Sequence, residues 1–197
     1  MTTPAVFDLL TIGHSNLPAD HFLALLQNAG VTAIADVRSV PFSRRFPWFS
    51  GKALAERLRN SAISYMALGD ALGGRPRDPS LYCDGVADYQ AMAATAAFRA
   101  GLDRVIDEAR RQRVCLMCAE REPLDCHRCL LVARALAKRG VAAGHILLDG
   151  AIEPHASTEE RLLAMAGGQA DLFGDRSTRL DGAYRRRARR VAARAAA

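Results

Sequence analysis

Along the 197 residues, apolar runs of strand length alternate with amphipathic stretches of helix length. That alternation predicts a mostly parallel sheet covered by helices. Val6–Ile12 predicts a first strand, ending at Gly13-His14-Ser15. Pro18 and Asp20 open a helix that runs to Leu26, and Gly30 stops it. Val31–Val37 predicts a second strand, closing on Asp36-Val37-Arg38, and the SVPFSRRFPWFS that follows reads as a loop. Ser50–Asn60 predicts a short helix and Ile63–Leu68 a third strand. Residues 69–85, with Gly73-Gly74, Pro76 and Pro79, form a long connection of the kind that is often functional. A long helix is expected from Val86 to Arg111, with a break near Gly101. Arg113–Ala119 predicts a fourth strand, Cys126–Arg139 a helix ended by Gly140, and Val141–Leu148 a fifth strand. A helix near Thr158–Ala166 and an apolar patch at Leu172-Phe173 lead into an Arg-rich end. The expectation is an α/β fold: one three-layer domain over residues 1–175, a mostly parallel sheet of about five strands flanked by helices.

Charge changes this picture only at the end of the chain. The net charge is +6, but residues 176–197 hold eight arginines and one acid, so the rest is close to neutral. The expectation is a disordered Arg/Ala tail, through which nucleic acid is a candidate partner. No apolar run reaches the length of a membrane span, and MTTPAVFDLL lacks the pattern of a leader, so a cytoplasmic protein is expected. Five cysteines, four of them between Cys115 and Cys129, fit reduced thiols or a metal better than a disulfide framework.

In an open α/β sheet, ligands sit beyond the carboxyl ends of the strands. The polar residues collect there: His14 and Ser15, Asp36 and Arg38, Cys118 and Glu120. In CLMCAEREPLDCHRCLL, Asp125 is the expected N-cap of the next helix, placing Cys126, His127 and Arg128 in its first turn. Backbone N–H groups and the helix dipole there favour an anion, either a thiolate or a bound ligand, and Arg128 adds a fork of donors. Packing competes with function for these cysteines, and Cys115 and Cys129 are expected as small core side chains.

The paired C-x-x-C spacing suggests zinc, but Cys115 and Cys118 within one strand point to opposite faces. No residue is therefore assigned as a metal ligand, and a smaller site using Cys118, Cys126 and His127 stays as an alternative. A phosphatase loop would need an arginine where Leu124 stands. Arg44, Arg45, Phe46 and Trp48 make a basic-aromatic loop, and Gly73-Gly74-Arg75 is a weak match to a phosphate loop.

Together, TIGHS (11–15), DVRSVPFSRRFPWF (36–49), the LG-x-x-LGG region (68–74), and LMCAE…CHR (116–128) with HIL (145–147) resemble the domain-of-unknown-function family 488. The resemblance runs from about residue 9 to 150. It implies that His14, Ser15, Asp36, Arg38, Pro41, Ser43, Cys118, Glu120, Cys126, His127 and Arg128 are signature positions. It implies no reaction.

The resulting expectation is an enzyme acting on a small anionic or nucleotide-like ligand. His14, Cys118, Glu120, Cys126 and His127 are the catalytic candidates. Ser15, Asp36, Arg38, Ser43 and Arg128 are the ligand-binding candidates. No cofactor is specified. A non-catalytic nucleic-acid-binding or regulatory module is the alternative from another class.

Overall fold

The computed structural model describes residues 7–166 and 175–196; the Leu172-Phe173 patch and Val6 lie outside the described residues. The strands, in chain order, are β1 (Leu9–Gly13), β2 (Ala33–Asp36), β3 (Ser64–Ala67), β4 (Tyr82–Cys83), β5 (Val86–Ala87), β6 (Val114–Cys118), β7 (Ala143–Ile146) and β8 (Ile152–Pro154). Six of them form one sheet in the order β3-β2-β6-β1-β7-β8. The first five run parallel, and β8 turns back antiparallel on β7. The central strands β1, β2 and β6 are buried at every position, which is why they read as unbroken apolar runs.

Alternation along these strands feeds two cores. Leu10, Ile12, Ile34, Cys115 and Met117 face one layer of helices, α1 (Ala19–Asn28) and α2 (Gly51–Asn60). Leu9, Ala33, Leu116 and Cys118 face the other, which includes α5 (Ala96–Ala109), a helix beginning at His127, and α7 (His155–Met165). The short helices α3 (Gly69–Leu72) and α4 (Tyr89–Ala93) precede α5. The helix from His127 is π-helical over Arg128–Ala133 and ends as α6 (Arg134–Ala137). The fold is thus the expected three-layer α/β sheet, with one more strand than the pattern showed.

Three local differences have physical causes. The long helix expected from Val86 is divided at Thr95, not at Gly101: the Thr95 hydroxyl accepts the Phe98 N–H at 3.1 Å and starts α5. Val86-Ala87 pairs instead with Tyr82-Cys83 across Asp84-Gly85, whose φ values of 52° and 74° make a tight hairpin turn. β8, only three residues long, follows the Gly150 turn and carries too little pattern to read.

The third difference is the Arg/Ala end. Expected as a disordered tail, Arg176–Ala196 is helix α8, with Ala183, Tyr184, Ala188, Val191 and Ala192 buried against the body. Their spacing is that of one helical face, masked in the sequence because most of that face is alanine. Arg187 pairs with Asp125 at 2.6 Å, and Asp181 with Arg134 and Lys138. The helix therefore packs against the segment that leads into Cys126.

Candidate functional site

Cys118 ends β6 beside Gly13 of β1. A side chain at Gly13 would place its Cβ 1.8 Å from the Glu120 carbonyl, so only glycine lets the Glu120 turn cross over β1. That turn brings Glu120 Oε2 to 2.9 Å from Cys118 Sγ and 2.9 Å from Cys126 Sγ. His127 Nδ1 lies 3.6 Å from Cys118 Sγ. The other ring nitrogen, Nε2, donates to the Val37 carbonyl at 2.8 Å, just past the end of β2. In the neutral ring this leaves the Nδ1 lone pair facing the thiols. One ligand atom from each of Cys118, Glu120, Cys126 and His127 lies within 4.8 Å of the others. Cys118, Cys126 and His127 are buried; Glu120 is exposed and closes the solvent side.

Cys126, not Asp125, is the helix N-cap. It is extended (φ −136°, ψ 140°), and its carbonyl accepts the Leu130 N–H at 3.0 Å. Its sulfur accepts the Arg128 N–H at 3.4 Å. Asp125 instead closes the turn Pro123–Asp125 and holds Arg187. Burial opposes ionisation of the Cys126 thiol, but the hydrogen bond from Cys118, the Arg128 guanidinium and His127 together carry it well below its ordinary value. Cys118 goes the other way: burial, then Cys126 and Glu120, hold its thiol well above the ordinary value. Although Glu120 as a whole is exposed, its carboxyl is turned in between the two thiols, and that desolvation, with Cys126, raises it. Burial lowers His127, but Cys126 and Glu120 outweigh it and leave the ring raised.

Arg128 has no exposed surface. Its Nη1 donates to the Glu120 carbonyl at 2.5 Å and its Nη2 to the Arg121 carbonyl at 3.1 Å, which fixes the turn. Its Nε has no partner among the described residues. Arg128, expected to hold an anion, is an internal positive charge whose Nη1 and Nη2 hold backbone.

His14, Asp36 and Arg38 form a second group on the opposite side of the strand ends. Arg38 donates to Asp36 through Nε (2.9 Å) and Nη2 (2.6 Å), and its Nη1 lies 3.2 Å from His14 Nε2. Tyr65, which the sequence reading did not single out, donates to Asp36 Oδ2 at 2.8 Å. His14 Nδ1 reaches the Ser15 carbonyl at 2.9 Å, and its ring stacks on Phe49 at 4.1 Å. Burial, helped by Arg38, lowers His14 to a pKa of about 4, so it is neutral near pH 7. Three of the five N–H donors of Arg38 are thus directed at Asp36 and His14. Ser15 adopts a left-handed φ of 48°, and its hydroxyl meets Asn16. The Ser43 hydroxyl accepts the Phe46 N–H at 3.0 Å, bracing the aromatic loop. Neither serine joins the thiol group.

A family model described as Domain of unknown function DUF488 matches residues 18–135, more than half the chain. The chain belongs to the DUF488 family. The matched span holds Asp36, Arg38 and the whole Cys118–Arg128 segment; His14, Ser15 and the chain from Leu136 onward fall outside it. No curated protein and no solved structure matches.

Two further cysteines of this DUF488 chain sit elsewhere. Cys115 lies in the α1/α2 core, facing away from Cys118, which removes the four-cysteine arrangement. Cys129 lies within 4.8 Å of ring nitrogens of His145 and His155 in a second, fully enclosed group. There, Thr11 Oγ1 is 2.7 Å from His145 Nδ1, His145 Nε2 is 3.0 Å from His155 Nδ1, and His155 Nε2 is 3.0 Å from the Tyr184 hydroxyl. Tyr184 donates in turn to Glu159 at 3.1 Å. One tautomer of each ring satisfies the chain: Thr11 donates to His145, His145 to His155, and His155 to Tyr184. Burial lowers both histidines, His155 to about 4, consistent with two neutral rings.

Two residues flank the Cys118–Cys126 group that the sequence marked weakly or not at all. Gly74 lies against the His127 ring, where a Cβ would approach Cγ to 2.7 Å, and the next residue, Arg75, is exposed. The Arg75 N–H is held by the Ser39 hydroxyl at 2.9 Å. Tyr89, expected inside a long helix, feels the charges of Cys126, Glu120 and Cys118 as well as Arg75; burial and those three hold its phenol raised.

Proposed function

We propose that this DUF488 protein is a metal-dependent hydrolytic enzyme for a small anionic substrate, with Cys118, Cys126 and His127 as the metal ligands. The observation that carries this reading is the convergence of two sulfurs, a ring nitrogen and a carboxylate oxygen on one point. Acceptor-rich atoms face one another in this way when a cation, or shared protons, stands among them. Thiolate and imidazole donors suit a zinc-type ion. The surroundings fit too. The Val37 carbonyl fixes the His127 tautomer, the Arg128 N–H supports Cys126, and the buried Arg128 charge offsets the second thiolate.

Such an ion, when bound, lowers the pKa of a water and polarises a carbonyl or phosphoryl group. Glu120, on the exposed side, is the residue placed to take the water's proton and return it to a leaving group. Arg38 and Arg128 direct donors at protein partners, and exposed Arg75, next to the Gly74 that packs on the His127 ring, is taken as the cation that meets the substrate's negative charge. It has no carboxylate partner among the described residues, whereas neighbouring Arg77 pairs with Asp70. The five free cysteines fit a reducing, cytoplasmic setting.

The test is elemental analysis of protein purified without chelator, followed by cobalt(II) substitution. About one equivalent of metal and a thiolate-to-cobalt absorption band are expected. Cys118→Ser and His127→Ala should lose both, while Glu120→Gln keeps the metal. Protein that carries no metal and shows no thiolate band with cobalt(II) would sink the reading.

The capping geometry of Cys126 favours one second reading, a metal-free thiolate nucleophile. It predicts selective alkylation of Cys126 over Cys118 by iodoacetamide near neutral pH in protein that never held metal. Equal, slow alkylation of both would remove it.

A further inference from the structure

A cavity of about 430 Å³ opens away from the strand ends, between the β4–β5 hairpin, α4, the helix from His127 and α8. Its size is within the range of small-molecule sites. Two residues of its wall link it to the Cys118–Cys126 group: Tyr89, and Leu130, whose N–H donates to the Cys126 carbonyl at 3.0 Å. The floor is apolar, made by Val86, Leu130, Leu131 and Ala188.

The rim is cationic: Arg134, Lys138, Arg185 and Arg189 all line it. Arg134 is committed to the Tyr184 ring, 4.3 Å away, and to Asp181. Arg189 meets Asp84 at 2.8 Å, and Lys138 meets Asp181 at 3.5 Å. Arg185 is exposed and has no carboxylate partner among the described residues. The one lining acid, Asp88, turns its carboxylate to the start of α4, accepting the Gln90 N–H at 2.8 Å and the Ala91 N–H at 3.2 Å. The charge presented to an occupant is therefore positive.

From this complementarity we infer that the cavity binds an organic anion with an apolar body, such as an alkyl or aryl phosphate or carboxylate. Inorganic phosphate would meet the rim but leave the apolar floor in water. An uncharged apolar molecule would cover the floor and leave Arg185 without a counter-charge. Only a ligand with both parts uses both surfaces. The inference does not depend on a metal at Cys118, since no residue is shared between the cavity wall and the four donors.

The experiment is calorimetric titration of the full chain with octyl phosphate, with inorganic phosphate and octanol as separate titrants. Octyl phosphate should bind at least about tenfold more tightly than either fragment. Arg185→Glu, a change at an exposed position, should weaken it several-fold, and Ala188→Trp should abolish it by filling the floor. If Ala188→Trp disturbs the docking of α8, seen as a lower melting temperature, Arg185→Glu alone decides. Octyl phosphate binding no tighter than inorganic phosphate, or binding indifferent to Arg185→Glu, overturns the inference. So does binding to phosphatidylglycerol vesicles without binding to octyl phosphate, which would indicate a membrane surface. Octyl phosphate binding should persist in Cys118→Ser, so this result and the metal result are read separately.

Discussion

Two groups in this DUF488 protein are built from the same side-chain types and solve opposite problems. Around His145 and His155, every polar atom in the chain from Thr11 to Glu159 finds a matching partner, and Cys129 lies beside it as a small core side chain. Around Cys118 and Cys126, a carboxylate oxygen and a ring nitrogen face two sulfurs whose only protons are weak donors. Both groups lie on the same side of the sheet, and the helix from His127 contributes to both. Composition cannot distinguish them. The kind of donor can: O–H and N–H groups complete the first group, whereas the carboxylate and ring nitrogen of the second are met only by two weak S–H donors. That difference is why a metal is assigned to one group and not the other.

The largest effect should come from removing one sulfur of the incomplete group. Cys118→Ser should weaken metal binding more than about a hundredfold, beyond what loss of an outer-shell partner does. Cys129→Ser should leave metal content unchanged. Equal loss in both variants would erase the distinction between the groups.

The complete group makes a pH prediction. His155 has a folded pKa of about 4 against an ordinary 6.5, because burial disfavours its charged ring although Glu159 lies 3.8 Å away. Tyr184 and His145 are the other polar groups facing it. A depressed pKa means that the unfolded chain takes up the proton first as pH falls. The stabilisation is therefore complete above 6.5 and is lost between 6.5 and about 4, up to about 3 kcal/mol for this residue. His14, also lowered to about 4, adds to the same window. Urea denaturation across that range should show the decline, and His155→Gln should flatten part of it. A slope unchanged by His155→Gln would mean that another group titrates there.

How much of this was legible in the sequence follows from what each feature needs. The inner strands were readable because burial on both faces demands continuous apolar runs, and β1, β2 and β6 supply them. The C-terminal helix was not, because alanine gives a buried face without raising local hydrophobicity above that of an arginine-rich segment. The grouping of Cys118, Glu120, Cys126 and His127 followed from strand ends and a helix start. The roles of the arginines followed only in part: two residues apart, Asp36 and Arg38 could be read as a pair, but nothing local shows that His14 joins them or that Arg128 turns inward to two carbonyls. Tyr65 and Tyr89 enter only through tertiary contact, from segments that read as plain strand and helix.

Tyr184 tests whether the complete group is as self-contained as its hydrogen bonds indicate. Tyr184→Phe keeps the ring in its place but removes the acceptor for His155 and the donor for Glu159. Leaving such buried groups unmatched should cost about 1–3 kcal/mol in chemical denaturation. Metal content should not change. A variant that lost metal along with stability would show the two groups to be one unit, joined through the helix that carries Cys126, His127 and Cys129.

The smallest structural effect belongs to Arg75, and it separates positioning from binding most cleanly. Its backbone N–H is held by Ser39, and Gly74 before it packs on the His127 ring, so the chain path does not depend on the guanidinium. Arg75→Ala should therefore shift stability by no more than about 0.5 kcal/mol, as for other exposed side chains without a partner. Cobalt-loaded protein should keep its thiolate band. If Arg75 is the cation that meets the substrate, perturbation of that band by added phosphate should weaken in Arg75→Ala and largely survive in Arg75→Lys. A perturbation that is identical in the unsubstituted protein and in Arg75→Ala would return the anion to some other group at the strand ends, and Ser15, half-buried and held in a left-handed turn beside β1, would be the next residue to substitute.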